Sequence, residues 1–150
     1  MGTIRLEDFL SRHRRIALDT SFVICAVEAH PKYLGNVQGI LNWIEAAGEA
    51  VTSTLTMTEA LVRPYRLREP ESVDKFYAFL LTYPNLEWIE PTLKIADRAA
   101  QIRAAHKLRT PDAIQAATAI ASGATGLVSN DAVFARVDSL EVLILDEMLQ

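Results

Sequence analysis

Short apolar runs alternate along the chain with longer stretches in which apolar residues recur every three or four positions. The short runs have the length of buried strands and lie at residues 16–18, 50–53, 86–90, 127–128 and 141–145. The periodic stretches predict helices at residues 6–13, 22–28, 40–47, 56–62, 73–81 and 93–108, with a last helix between Thr110, as its cap, and Gly123. Strands that alternate with helices are typical of a parallel sheet covered on both faces. The pattern therefore predicts an α/β fold.

Proline and glycine residues indicate where several of these elements end. Pro31 should follow the end of the second helix, Gly48 should close the third, and Pro64 should interrupt the fourth. The sequence contains no internal repeat, low-complexity tract or linker. We therefore expect one domain over residues 1–150, in which residues 1–14 form a helical extension ahead of the first strand.

Composition narrows the class of protein. A net charge of −4 and a pI near 5.4 argue against a protein whose whole surface binds nucleic acid. They are compatible with a nuclease, because an acidic centre needs bound cations before it meets a phosphate. The single cysteine, Cys25, excludes an intramolecular disulfide and fits a reducing compartment. Since no apolar run approaches the roughly 20 residues of a membrane span, we expect a cytoplasmic protein without membrane contact.

Four acidic residues lie at the boundaries of predicted elements. Asp19 and Asp131 follow apolar runs, Asp112 lies in the first turn of an alanine-rich helix, and Glu59 lies at the start of another helix. In parallel α/β sheets, ligand sites gather at the carboxyl ends of the strands. Carboxylates held close together repel one another, and a hard divalent cation such as Mg²⁺ or Mn²⁺ removes that repulsion. The sequence therefore indicates a metal-dependent enzyme.

Each acid also has a purely structural explanation. Thr56 and Glu59 have the spacing of a capping box, and Asp19 is placed to cap a helix. Asp112 complements a helix dipole, and Asp131 belongs to an Asn-Asp turn pair. Independent caps need not share one end of a sheet, so the set as a whole favours a metal site. Dinucleotide-binding and Walker A glycine motifs and zinc-ligand spacings are absent from the sequence.

Four sequence blocks together resemble the signature blocks of PIN-domain ribonucleases, and within that family the chain is most similar to VapC-type toxins of toxin–antitoxin pairs. The blocks span residues 16–21, 54–61, 109–117 and 128–131. The resemblance implies a PIN-like three-layer fold with a central five-stranded parallel sheet flanked by helices. It also implies a Mg²⁺- or Mn²⁺-dependent endoribonuclease that cleaves single-stranded RNA and leaves a 3′-hydroxyl and a 5′-phosphate.

By matching positions, the resemblance assigns the catalytic and metal-binding roles, for one or two ions, to Asp19, Glu59, Asp112 and Asp131. Ser21, Ser129 and Asn130 are the expected site-shaping residues. The resemblance further implies a cognate antitoxin as partner and a homodimer. Basic residues next to the acids suit an RNA backbone, and those expected to contact it are Arg63, Arg66 and Arg109. Two alternatives stay open: a catalytically silent RNA-binding or dimerisation module, and a DNA-directed nuclease that uses the same acids.

Overall fold

The computed structural model describes residues 5–148, in which five parallel strands form one sheet. The strands are β1 (Arg15–Leu18), β2 (Glu49–Ser53), β3 (Leu86–Ile89), β4 (Gly126–Ser129) and β5 (Glu141–Ile144), in the spatial order β3-β2-β1-β4-β5. In the centre of the sheet, Ile16 of β1 lies opposite Ala50 of β2 on one side and Gly126 of β4 on the other. The first three strands therefore extend the sheet from β1 to one edge at β3, and β4 and β5 are added on the opposite side of β1. This reversal places a topological switch point between β1 and β4.

Helices cover both faces of the sheet. They are α1 (Leu6–Arg12), α2 (Thr20–Val27), α3 (Leu34–Ala46), α4 (Leu55–Arg66), α5 (Pro70–Thr82), α6 (Leu93–Ala105) and α7 (Thr110–Ala121). Short 3₁₀ helices lie at Pro31–Tyr33, Ala132–Arg136 and Leu145–Met148. No helix within residues 5–148 has both the length and the apolar character needed to cross a bilayer.

Two hydrophobic clusters show which helices pack on which face. Ile16 and Leu18 of β1 belong to the cluster formed with α1 to α5, whereas Ala17 belongs to the one formed with α6 and α7. This alternation follows from the period of two of strand side chains. The result is a three-layer α/β structure, and the predicted fold class is confirmed. The expected extension over residues 1–14 begins outside the described residues, and its described part contains α1.

The prediction that Pro64 interrupts the fourth helix is wrong, because α4 continues to Arg66. Proline removes the hydrogen bond to the carbonyl four residues earlier, which here concerns only Ala60. Pro64 lies in the last turn of α4, so little helix remains to be disturbed. Its side chain is buried, and its carbonyl accepts a hydrogen bond from the Glu69 backbone N–H at 2.9 Å.

The third helix also differs from its prediction. α3 begins at Leu34, six residues before the predicted start, and contains Gly35 and Gly39. Glycine lowers helix propensity, but Gly39 lets α1 approach closely. A Cβ at position 39 would lie 3.0 Å from the Leu6 Cδ2 atom. Packing against α1 therefore accounts for a helical turn that local sequence disfavours.

Candidate active site

Asp19 lies at the carboxyl end of β1 and is 6% exposed. It is the N-cap of α2, and its Oδ1 atom accepts a hydrogen bond from the Phe22 backbone N–H at 3.2 Å. The same oxygen accepts a hydrogen bond from Ser21 Oγ at 2.7 Å, and Oδ2 accepts one from Ser129 Oγ at 2.7 Å. Asp19 is therefore a helix cap, as its structural explanation required. In addition, each of its carboxylate oxygens accepts a hydrogen bond from a serine hydroxyl.

The segment after β4 is joined to this carboxylate by the same two hydroxyls. Ser21 Oγ accepts a hydrogen bond from the Asn130 backbone N–H, and Ser129 Oγ accepts one from the Asp131 backbone N–H, both at 2.9 Å. The exposed Asp131 side chain accepts a hydrogen bond from the backbone N–H at the start of the following 3₁₀ helix. The three residues predicted to shape the site thus connect Asp19 to the segment that carries Asp131.

Glu59 does not complete a capping box. α4 begins at Leu55 without a side-chain cap, and Thr56 lies within the helix, where its hydroxyl contacts Thr52. The Glu59 carboxylate instead accepts a hydrogen bond from Thr20 Oγ1 at 2.7 Å. Thr20 is the residue after Asp19, so Glu59 is brought to the carboxyl end of β1 rather than used to satisfy the end of its own helix.

Asp112 lies in the first turn of α7, as predicted. Thr110 is not the cap of this helix but its first residue; Arg109 is the N-cap and makes no side-chain capping bond. The Arg109 Nε atom lies 3.3 Å from Asp112 Oδ2, in a pair whose arginine side chain is 78% exposed. This exposure leaves the guanidinium in contact with solvent beside the acidic edge of the sheet.

Burial and neighbouring charges perturb two of the four acids. Burial raises the pKa of Asp19 to about 6; hydrogen bonds from Ser21, Ser129 and the Phe22 N–H oppose this rise, and the charge of Glu59 adds to it. Burial also raises the pKa of Asp112, with Arg109 opposing the rise and the charges of Asp131 and Glu59 adding to it. Perturbed carboxylates that share an edge of a sheet are typical of functional sites.

The raised pKa of Asp19 predicts that the difference in stability between wild type and Asp19→Asn depends on pH. The pKa of Asp19 is about 6 in the folded protein, against an ordinary 3.8, so the folded state holds this proton more tightly than the unfolded state does. The ionised form therefore destabilises the metal-free protein above about pH 6, and this penalty fades as pH falls toward 4. We expect Asp19→Asn to be more stable than wild type by about 1–3 kcal/mol at pH 8 in EDTA, with a smaller margin at pH 5.

Urea unfolding of both proteins across this pH range measures the effect, since taking the difference between them cancels the other titrating groups. A stability difference between wild type and Asp19→Asn that does not change with pH would contradict the assignment of the raised pKa to Asp19.

The four acids suit a hard divalent cation by their chemistry. All are oxygen donors, and a bound cation would relieve the repulsion among them, which adds to the rise that burial causes in the pKa of Asp19 and of Asp112. Within residues 5–148, no three His, Cys, Asp or Glu side chains stand close enough to ligate one ion together. Hydroxyls and Arg109 instead contact the carboxylates. The residues thus fit Mg²⁺ or Mn²⁺ by donor type, without forming a closed ligand cage.

The remaining predicted RNA-contacting residues lie on α4. Arg63 and Arg66 follow Glu59 by four and seven residues, so they share its helical face, and both are exposed. No salt bridge within the described part of the chain involves either guanidinium. A row of cations therefore leads along α4 away from the carboxylate.

Besides Ser21, Ser129 and Asn130, which were predicted, the site is held in place by residues to which sequence reasoning gave no such role. Tyr33, 7% exposed, donates a hydrogen bond to Asp146 Oδ1 at 2.5 Å and accepts one from Asn130 Nδ2 at 2.9 Å. The Asn130 Oδ1 atom accepts a hydrogen bond from the Asp146 backbone N–H. Gln115, a buried amide within an alanine-rich helix, was also missed, although a polar residue one turn after Asp112 was a usable signal.

Comparison with known proteins identifies a matching family and solved structures with the same fold. The PIN domain model matches residues 16–140. Three solved structures share the fold: the VapBC2 complex of Rickettsia felis bound to a promoter DNA fragment (21% identity, 85% of this chain and 96% of that chain, TM-score 0.68), FitAcB from Neisseria gonorrhoeae (20%, 87% and 97%, 0.66), and VapC20 of Mycobacterium tuberculosis, a toxin that cleaves the sarcin–ricin loop (18%, 80% and 92%, 0.65).

No curated protein sequence matches the chain. The structural similarities, at identities near one fifth, concern the fold. The family model matches a stretch that begins within β1, includes β2, β3 and β4, and contains each of the four acids described above. The chain belongs to the PIN-domain family.

Proposed function

We propose that the protein is a metal-dependent endoribonuclease that hydrolyses phosphodiester bonds of single-stranded RNA. The observation that carries the proposal is the placement of Asp19, Glu59, Asp112 and Asp131 at the carboxyl edge of the sheet, beside the switch point between β1 and β4. Charge coupling links these acids in the pKa values of Asp19 and Asp112. Membership of the PIN-domain family supports the same reading.

Asp19, Asp112 and Asp131 would hold one or two Mg²⁺ or Mn²⁺ ions, with Glu59 as a further ligand or as an orienting group. When bound, such a cation lowers the pKa of a water molecule and neutralises charge that develops on the phosphate. Ser21 and Ser129 keep the Asp19 carboxylate in one orientation through a hydrogen bond to each oxygen. Fixing a ligand in this way is the usual part played by groups just outside a metal site.

Arginine side chains would receive the RNA backbone. Arg109 lies beside Asp112, and Arg63 and Arg66 share the exposed face of α4 with Glu59. Contacts of arginine with phosphates position a nucleic acid without reading its bases. This arrangement compensates for the overall negative charge of the protein by placing cations next to the acids.

We further propose that the protein is the toxin of a type II toxin–antitoxin pair, acts as a homodimer and binds a cognate antitoxin. The shared fold with the VapBC2 complex and with FitAcB supports this proposal. Exposed apolar side chains on α4 and in the turn after it, at Val62, Tyr65 and Leu67, supply surface suited to a protein partner.

A cleavage assay tests the nuclease activity. We expect purified wild-type protein to cut total cellular RNA into discrete fragments with Mg²⁺ or Mn²⁺ and to leave it intact in EDTA. Matched single-stranded RNA and DNA oligonucleotides, built on the sequence around a mapped cleavage site, decide the sugar specificity. Cleavage of DNA alone would favour the DNA-directed nuclease, and RNA binding without cleavage in either metal would favour the silent module.

A further inference from the structure

A buried chain of hydrogen bonds lies beneath the acidic edge and centres on Gln115. This glutamine is 5% exposed and lies one turn after Asp112 on α7. Its Nε2 atom is 3.0 Å from Thr56 Oγ1 on α4 and 3.3 Å from Thr20 Oγ1 on α2. One amide group therefore connects α7, α4 and α2, the helices that carry Asp112 and Glu59 and that Asp19 caps.

The direction of the hydrogen bonds on the α2 side follows from the number of available protons. Thr20 has a single hydroxyl proton, which it donates to the Glu59 carboxylate at 2.7 Å. The Thr20 oxygen can therefore only accept from Gln115, so the group that faces it must carry an N–H. An amide nitrogen satisfies this requirement, whereas a carbonyl or carboxylate oxygen would compete with Glu59 for the proton.

The α4 side leads to the same assignment. Thr52 donates its hydroxyl proton to the Leu18 backbone carbonyl at 2.9 Å, so Thr56, 2.7 Å from Thr52, must donate to it. Thr56 then has only acceptor capacity left for Gln115. Both N–H groups of the amide are needed, one for each threonine, and the whole chain has one consistent orientation.

We propose that Gln115 is a positioning residue of the acidic site, which acts on Glu59 through Thr20. Its amide fixes the Thr20 hydroxyl so that the proton points to the Glu59 carboxylate. Glu59 is thereby held beside Asp19 rather than released toward solvent along α4. This inference rests on the proposed function, since it assigns a role within that same site.

The surroundings of Gln115 argue against a role in packing alone. Its neighbours Ala116, Ala117 and Ala119 are fully buried in the layer formed by α6 and α7. An apolar side chain would suit this layer without any partner, and a buried amide is tolerated only when it is hydrogen-bonded. The hydrogen bonds from its nitrogen both go to threonines on the side of the acids.

The test compares variants by Mn²⁺ binding, followed by electron paramagnetic resonance, and by the steady-state kinetics of RNA cleavage. Gln115→Met keeps the length of the side chain and removes both N–H groups; Gln115→Glu keeps its size and reverses its hydrogen-bonding character. We expect either change to weaken Mn²⁺ binding about 10-fold and to lower kcat by a similar factor, with KM for RNA unchanged. Thr118→Val is the matched control, because Thr118 is a buried hydroxyl on the same helix that bonds only to the Ile114 carbonyl.

A double-mutant cycle with Thr20→Val separates positioning from general stability. If Gln115 acts through Thr20, Gln115→Met should weaken Mn²⁺ binding no further in the Thr20→Val background. A full additional loss in that background would overturn the proposal, as would wild-type Mn²⁺ affinity and kcat in both folded Gln115 variants. A wild-type protein that neither binds Mn²⁺ nor cleaves RNA would overturn the proposed function as well, so the two failures are distinguishable.

Discussion

Asp19→Asn is expected to lower the rate of RNA cleavage by about 10³-fold, equivalent to about 4 kcal/mol of transition-state stabilisation. Asparagine keeps the size of the side chain and its ability to cap α2, so the fold should be retained. It removes the negative charge at the most deeply buried of the four acids, and with it the attraction for a cation. Single-turnover cleavage of an RNA oligonucleotide at saturating Mn²⁺ measures the loss.

Asp138→Asn provides a matched control for this experiment. Asp138 is exposed and lies in the loop before β5, at the amino end of the sheet and thus opposite the acidic edge. Its amide variant should cleave RNA at the wild-type rate. Equal activity of Asp19→Asn and wild type at matched metal concentration would show that Asp19 does not belong to the catalytic centre.

Ser129→Ala is expected to reduce cleavage by about 10- to 100-fold, the effect typical of groups that orient a metal ligand. The Ser129 hydroxyl donates to Asp19 Oδ2 and accepts from the Asp131 backbone N–H. Its removal therefore releases one oxygen of Asp19 and leaves the N–H of Asp131 without its partner. Because two acids are affected, metal affinity should fall together with kcat, and Mn²⁺ titration of the cleavage rate measures both.

Ser129→Thr should keep most of the wild-type activity, because threonine supplies the hydroxyl that Ser129→Ala lacks. Ser122→Ala serves as the control for loss of a hydroxyl: Ser122 caps the end of α7, and its Oγ donates only to the Ala119 carbonyl. An alanine variant at position 129 with unchanged metal dependence would show that the hydroxyl does not orient the acids.

The sequence predicts the layered fold because its main signals are local. Each strand contains a short apolar run, and β1 alternates between the two faces within four residues. The errors in helix bounds arise where tertiary contacts override local preference. α3 includes Gly39 where α1 packs closely against it, and α4 passes through Pro64 because the proline lies in its last turn.

The four candidate acids were predicted from their positions after apolar runs and at the starts of helices, since the carboxyl ends of parallel strands meet at one edge. Of the groups that hold them, Ser21 and Ser129 were predicted from the sequence, whereas Thr20 and Gln115 were not. The hydrogen bond between Thr20 and Glu59 joins residues 39 positions apart, and the one between Gln115 and Thr20 joins residues 95 positions apart. No local pattern reports such pairings. The network around Gln115 therefore emerges only from the three-dimensional structure.

The order of the strands has a consequence for synthesis of the protein in the cell. β1, which Asp19 follows directly, pairs with β2 and with β4, and Asp131 comes two residues after β4. Because translation proceeds from the N-terminus, the residues of β1, β2 and β3 are synthesised before Asp131, the last of the four acids. The complete acidic set cannot assemble before β4 and Asp131 have been synthesised. A nuclease that needs all four acids, as proposed above, would thus be inactive toward its own translating ribosome until β4 and Asp131 have emerged.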